Sequence, residues 1–153
     1  GIEYRFKPKI TKFVKLLNLF MHSDKVINVE LKIEEDDPFF VINVTKEIEK
    51  RKMEHQVIIT SFNHKLLRYI DSKKFKIGSL NDYDLCKNDI NKMNLNYPIV
   101  ILDKRTDKKI LQKLKKMNKT IGIYTINSYD DNLKDDLRFY SEVDYFIFDK
   151  LIE

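Results

Sequence analysis

The sequence predicts an α/β protein built on parallel strands, and three observations carry that prediction. Apolar, β-branched runs such as Val26-Ile27-Asn28-Val29 and Ile99-Val100-Ile101-Leu102 alternate with segments of helical periodicity. Most of these runs are uninterrupted, as in strands buried on both faces, rather than alternating apolar with polar. No hairpin turn signal joins one run to the next, so each connection is a helical crossover.

Taken in order, the chain opens with a helix near Ile10 to Met21, followed by a strand from Val26 to Ile33 and a helix from Pro38 to Lys52. Asp37 caps that helix, Pro38 suits its first position, and the acidic run Glu34, Glu35, Asp36 and Asp37 complements its positive end. Next come a strand from Gln56 to Phe62, a helix from His64 to about Ser72 and a short strand from Lys76 to Leu80. A helix around Asp84 to Met93 precedes the strand Pro98 to Leu102. The helix Asp107 to Met117 buries Ile110, Leu111, Leu114 and Met117 and leaves Lys113, Lys115 and Lys116 as its solvated side. The strand Thr120 to Ile126, a helix from Asp130 to Tyr140 and a last strand from Val143 to Phe148 complete the alternation.

At 153 residues the chain is expected to form a single domain spanning 1–153. Its 42% hydrophobic and 12% aromatic content is that of a globular protein, and no apolar run approaches the roughly 20 residues of a membrane-spanning helix. The first residue is Gly rather than Met, so the natural protein is expected to begin upstream. One cysteine, Cys86, rules out an internal disulfide and a cysteine metal cluster, and a cytoplasmic location is the default expectation. The net charge of +5 comes from lysines scattered through every segment, which argues against nucleic-acid binding.

Functional groups of parallel α/β folds sit at the carboxyl ends of strands. The first strand ends with Glu30 and Lys32, two residues apart and therefore on one side if the strand continues. Opposite charges on the inner side of a buried strand must pair with each other, a metal or an ionic substrate, whereas on an edge strand they would be an ordinary solvated pair. The other strand ends supply Ser61, Phe62 and Asn63, then Ser79, Asp103 and Lys104, then Tyr124, Thr125 and Asn127, and last Asp149 and Lys150. With glycine only at 1, 78 and 122, there is neither a Rossmann fingerprint nor a P-loop. Of the histidines, His22 lies in a turn, His55 precedes a strand, and only His64 is near the strand ends, where it opens a helix.

Five segments in order resemble the glycerophosphodiester phosphodiesterase family, whose fold is a TIM-type barrel. They are Asn28-Val29-Glu30-Leu31-Lys32, Ile58-Ile59-Thr60-Ser61-Phe62-Asn63-His64, Lys76-Ile77-Gly78-Ser79-Leu80, Ile121-Gly122-Ile123-Tyr124-Thr125-Ile126-Asn127 and Val143-Asp144-Tyr145-Phe146-Ile147-Phe148-Asp149. The resemblance implies a partial or divergent (β/α) barrel, the alternative from length being an open flavodoxin-like sheet. It also implies Glu30 as a ligand of a divalent metal, Mg²⁺ or Ca²⁺, with Lys32 at the phosphate and Ser61, Tyr124 and Asn127 lining the mouth.

The departures from the family are informative. The His-Arg-Gly, Glu-x-Asp and His-Asp strands, which supply the acid and base histidines and most metal ligands, do not occur in this sequence. Tyr124 stands where a tryptophan is usual, Tyr145 where a glycine is usual and Phe148 where a threonine is usual. A closed barrel takes roughly 200 to 250 residues, so this chain resembles the C-terminal part of one. The expectation is a divergent or truncated enzyme of lipid metabolism, acting on a small-molecule phosphodiester and inactive as this chain alone. A second chain or copy could complete its barrel; the rival reading is a non-catalytic module that binds an anion or a protein.

Overall fold

The computed structural model describes residues 10–126 and 141–148. They fall into two compact units that divide between Ile77 and Gly78, and each is taken by itself.

The first unit contains α1 (Ile10–Phe20), β1 (Ile27–Glu30), α2 (Pro38–Glu49), a 3₁₀ turn (Glu54–Gln56), β2 (Val57–Ser61) and α3 (His64–Leu67). β1 and β2 pair in parallel, from Ile27 opposite Val57 to Glu30 opposite Thr60. Every residue of β2 is buried, whereas β1 has no fully buried residue, so the apolar run of β1 does not make the strand buried on both faces that its composition implied. The α2 start is as expected: Pro38 occupies the first turn and the Asp37 carboxylate accepts the Phe40 N–H at 3.0 Å. At the far end of α1, the buried Gln56 amide donates to the carbonyls of Phe20 and Ser23 at 3.0 and 2.8 Å, tying the helix end to the start of β2.

Two expected elements of this unit are shorter than their sequence patterns. β1 stops at Glu30 instead of running to Ile33, because side chains capture the carbonyls that follow. Ser61 Oγ donates to Leu31 O at 2.7 Å, and the Asn63 amide donates to the carbonyls of Ile33, Glu34 and Glu35 at 3.0–3.2 Å, bending the chain away from the ladder. The helix from His64 closes after one turn, where Tyr69 and Ile70 donate to the carbonyls three residues back.

The second unit contains β3 (Lys76–Leu80, which straddles the division), α4 (Tyr83–Cys86), a 3₁₀ turn (Ile90–Lys92), β4 (Ile99–Asp103), α5 (Lys108–Lys116), β5 (Thr120–Ile126) and β6 (Tyr145–Phe148). β3, β4, β5 and β6 pair in chain order and in parallel. Their core gathers Val100 and Leu102 of β4, Ile110, Leu111 and Leu114 of α5, and Ile121 and Ile123 of β5, with Cys86 and Met93. Gly122 lies opposite Ile101 across the ladder, and a Cβ there would come within 3.2 Å of the Ile101 side chain, so the bare backbone leaves room for the branched partner.

The continuous helix expected from Asp84 to Met93 is instead two short turns. Lys87 and Asn88 take left-handed backbone angles, with φ of 44° and 61°, and Asp82 and Asp89 each cap a new turn. On α5 the three buried apolar residues are those expected, but Met117 is half exposed at the helix end, and Lys115 pairs with Asp144 at 2.6 Å rather than projecting freely. The expected helix Asp130 to Tyr140, and the candidate residues Asn127, Asp149 and Lys150, lie outside the described residues.

Candidate functional site

In the first unit, Glu30 closes β1 half-buried opposite Thr60, whose hydroxyl donates to Asn28 Oδ1 at 2.9 Å. Lys32 lies beyond the strand and is exposed, so strand alternation does not set it beside Glu30 on a buried face. Ser61 is fully buried, and its hydroxyl is committed to backbone: it donates to Leu31 O and accepts the Asn63 N–H at 3.0 Å. The two aspartates of the acidic run are spent locally. Asp36 binds Arg68 and accepts the Tyr69 hydroxyl at 3.0 Å, while Asp37 caps α2. His64 is the first residue of α3, half-buried, and His22 and His55 are exposed.

A divalent hard cation takes six or more oxygen ligands. Among the described residues no group of three or more Asp, Glu, His or Cys is arranged to hold one. No step of chemistry is assigned through a metal on these residues.

The second unit carries a denser polar arrangement at its strand ends, most of which the sequence pattern did not single out. Asn81, just past β3, is 2% exposed and anchors it. Its amide donates to Ser79 O at 3.1 Å and Ser79 Oγ at 3.3 Å, its Oδ1 accepts the Asn94 N–H at 2.8 Å, and its backbone carbonyl accepts the Tyr124 hydroxyl at 2.9 Å. Asp103, the last residue of β4, receives Arg105 in a fork, Nε to Oδ1 at 2.9 Å and Nη2 to Oδ2 at 3.0 Å, with the Arg105 N–H also donating to Oδ1 at 2.8 Å. The guanidinium lies over the Tyr83 ring, 4.2 Å from its centre. Lone Cys86 is buried, and that burial pushes its thiol up, which disfavours the thiolate.

Solved structures share this arrangement of elements. A Galdieria sulphuraria protein described as a glycerophosphodiester phosphodiesterase superposes with a TM-score of 0.73 at 16% identity, over 92% of this chain and 59% of its own length. A Silicibacter pomeroyi protein described in the same way gives 0.68 at 15% identity, over 92% of this chain and 52% of its own. The glycerophosphodiester phosphodiesterase of Agrobacterium tumefaciens gives 0.60 at 18% identity, over 94% and 59%. This chain has the fold of the glycerophosphodiester phosphodiesterases. It spans 52–59% of the length of these three proteins, and its fold matches part of a TIM-type barrel. No protein-family model and no curated protein matches the sequence.

Within this phosphodiesterase fold, Glu30, Ser61 and Asp103 end β1, β2 and β4, and Tyr124 lies in the carboxyl-terminal half of β5. Burial, reinforced by Asp103 and Asp82, raises the Tyr124 phenol well above the ordinary tyrosine range, so this hydroxyl stays protonated and donates rather than acting as a base. Burial alone would raise the Asp103 carboxyl, but hydrogen bonds from the Arg105 side chain and backbone outweigh it and hold the carboxyl below 3.8, its ordinary value. A depressed folded-state value contributes stability that is present above the unfolded value and is lost as pH falls through the folded one. Asp103→Asn is therefore expected to be less stable than the parent at neutral pH, with the gap closing as pH falls below 3.8. Thermal unfolding followed across that range checks this; a gap independent of pH would contradict it.

No described helix is long and apolar enough to cross a membrane.

Proposed function

We propose that this chain is a divergent or truncated glycerophosphodiester phosphodiesterase. In a complete form it hydrolyses a small-molecule glycerophosphodiester, water adding across the phosphorus–oxygen bond to release glycerol phosphate and an alcohol. The observation that carries the reading is the fold match at a TM-score of 0.73 over 92% of the chain. The glutamate expected to serve a divalent metal in that family falls at a strand's carboxyl end in this chain. In this reading Glu30 contributes one metal ligand and Lys32 supplies charge near the phosphate, while the buried Ser61 hydroxyl, bound to the Leu31 carbonyl, steadies the chain between them. The remaining ligands for Mg²⁺ or Ca²⁺ and the acid and base histidines come from further strands, on the same polypeptide or on a second chain or copy.

Alone, the 153-residue chain is expected to leave glycerophosphocholine at the background rate with either metal, since each missing acid or base costs a factor of about 10² to 10⁴. Adding a polypeptide that bears the His-Arg-Gly and Glu-x-Asp strands is expected to restore hydrolysis, and Glu30→Gln to remove it again. Continued inactivity in every such mixture, despite association, would end the reading.

A non-catalytic binding module on the same scaffold is favoured by one observation: of the acidic run Glu34 to Asp37 that could have joined Glu30, Asp36 and Asp37 are engaged with Arg68 and the α2 cap. That reading expects no change in melting temperature with Mg²⁺ or Ca²⁺. A rise that Glu30→Gln abolishes would count against it.

A further inference from the structure

We propose that Arg105 is an anion-binding residue of the second unit, positioned by Asp103 and Tyr83 so that its outer edge takes the oxygens of a phosphate ester. The choice of phosphate among oxyanions rests on the phosphodiesterase reading; the site itself rests on the geometry below.

A guanidinium has five N–H donors in a rigid plane. The fork onto Asp103 uses Nε and one N–H of Nη2, and Tyr83 covers one face at 4.2 Å. These contacts fix both the position and the tilt of the plane, because the Asp103 side chain is only 15% exposed and stands at the end of β4. What they leave is the edge carrying Nη1. That edge faces Asp84 Oδ1 at 3.8 Å, beyond hydrogen-bond reach, and the Arg105 side chain is 53% exposed. A cation held on one edge by a carboxylate and on one face by an aromatic ring has already lost the rotamer freedom that an unheld arginine loses on binding. This outer edge, in a long ion pair with Asp84, offers two parallel donors, the geometry that matches two phosphate oxygens.

The surrounding charges define the competition. Asp82 is committed to the backbone N–H groups of Asp84 and Leu85, and Lys104 adds a cation next to Arg105 in the chain. Asp84, 78% exposed and without a hydrogen bond to Nη1, is the carboxylate that an incoming anion displaces. It lowers affinity without blocking the edge.

The test is titration of the 153-residue chain with inorganic phosphate and with glycerol phosphate, in the absence of divalent metal, followed by calorimetry and by the backbone amide resonances around Asp103, which every variant retains. Saturable binding is expected for the parent chain. Arg105→Gln is expected to weaken it at least about tenfold, the effect of losing one charge-assisted contact. Arg105→Lys should retain only part of the affinity, because an ammonium cannot use the fork and the outer edge together. Asp84→Asn should tighten binding about threefold by removing a repulsive exposed charge. Tyr83→Leu keeps the cation but releases its face, and is expected to weaken binding while the melting temperature stays near that of the parent.

Absence of saturable binding in the parent chain, or equal affinity in a folded Arg105→Gln variant, overturns the proposal. Phosphate binding that depends on Arg105, in a protein that no added strands make hydrolytic, supports the site and refutes the phosphodiesterase reading separately.

Discussion

Replacing Leu111 with alanine is expected to destabilise the second unit by about 2–5 kcal/mol. Leu111 is on the inner side of α5 and is fully buried among Val100 and Leu102 of β4 and Ile121 and Ile123 of β5. Those neighbours are strand residues held by parallel ladders on either side, Ile99 through Asp103 against Thr120 through Tyr124. They cannot collapse into a cavity without breaking backbone hydrogen bonds, so the upper part of the range applies. Typical domains are stable by only about 5–15 kcal/mol, and the variant would lose a large share of that. Urea denaturation with an unchanged m-value is the measurement. A loss below about 1 kcal/mol would mean that α5 does not seal this core, since surface substitutions usually stay within about 0.5 kcal/mol.

Asn81→Leu is expected to cost about 2–6 kcal/mol for a different reason. Leucine is close to asparagine in size, so little volume is lost; what disappears is the acceptor for the Asn94 N–H at 2.8 Å and the donor for Ser79 O at 3.1 Å. Each buried polar group left unpaired costs about 1–3 kcal/mol, and two are stranded together. Asn96→Ala is the control, since Asn96 is exposed and its removal should change stability by less than about 0.5 kcal/mol. The tyrosine resonances give a second readout. The Tyr124 hydroxyl bonds the Asn81 backbone carbonyl, so loosening residue 81 should shift the Tyr124 signal even though its direct partner atom remains. An Asn81→Leu variant as stable as the parent, with an unmoved Tyr124 signal, would show that water replaces the amide at no cost and that the network does not organise these strand ends.

Much of the fold was legible residue by residue. The Pro98–Leu102 and Thr120–Ile126 strand assignments agree with the observed β4 and β5 to within a residue or so, because their apolar runs are bounded by clear breaks. Asp37 and Pro38 announced α2, whereas the Asp107 cap of α5, its carboxylate accepting the Lys109 N–H at 2.8 Å, was seen only in the structure. In two places where the pattern overran, a distant side-chain contact goes with the break. The β1 pattern continues to Ile33, yet Ser61 and Asn63, about 30 residues away, take the carbonyls and end the strand. The Asp84 to Met93 pattern reads as a helix, but Asn88 gives its side-chain oxygen to the Asp107 N–H at 2.8 Å, a contact 19 residues distant.

The candidate site divides along the same line. Glu30 and Tyr124 were visible as polar residues near strand ends, and Asp103 with them. Arg105 stood only two residues further on and carried no signal of its own, because an arginine in a strand-to-helix loop is ordinary until its fork partner and stacking ring are known. Asn81 and Asn94 looked like two more asparagines in an asparagine-rich chain; their pairing spans 13 residues of irregular backbone.

By itself, then, the sequence determined where apolar periodicity and caps place strands and helices, since those depend on neighbours within a few residues. Only the tertiary structure decided which polar groups meet: Tyr124 with Asn81 across 43 residues, Lys115 with Asp144 across 29, Asp103 with an arginine turned back over Tyr83. A hydrogen bond or ion pair depends on separations of about 3 Å between groups that folding brings together, and no local propensity encodes that distance.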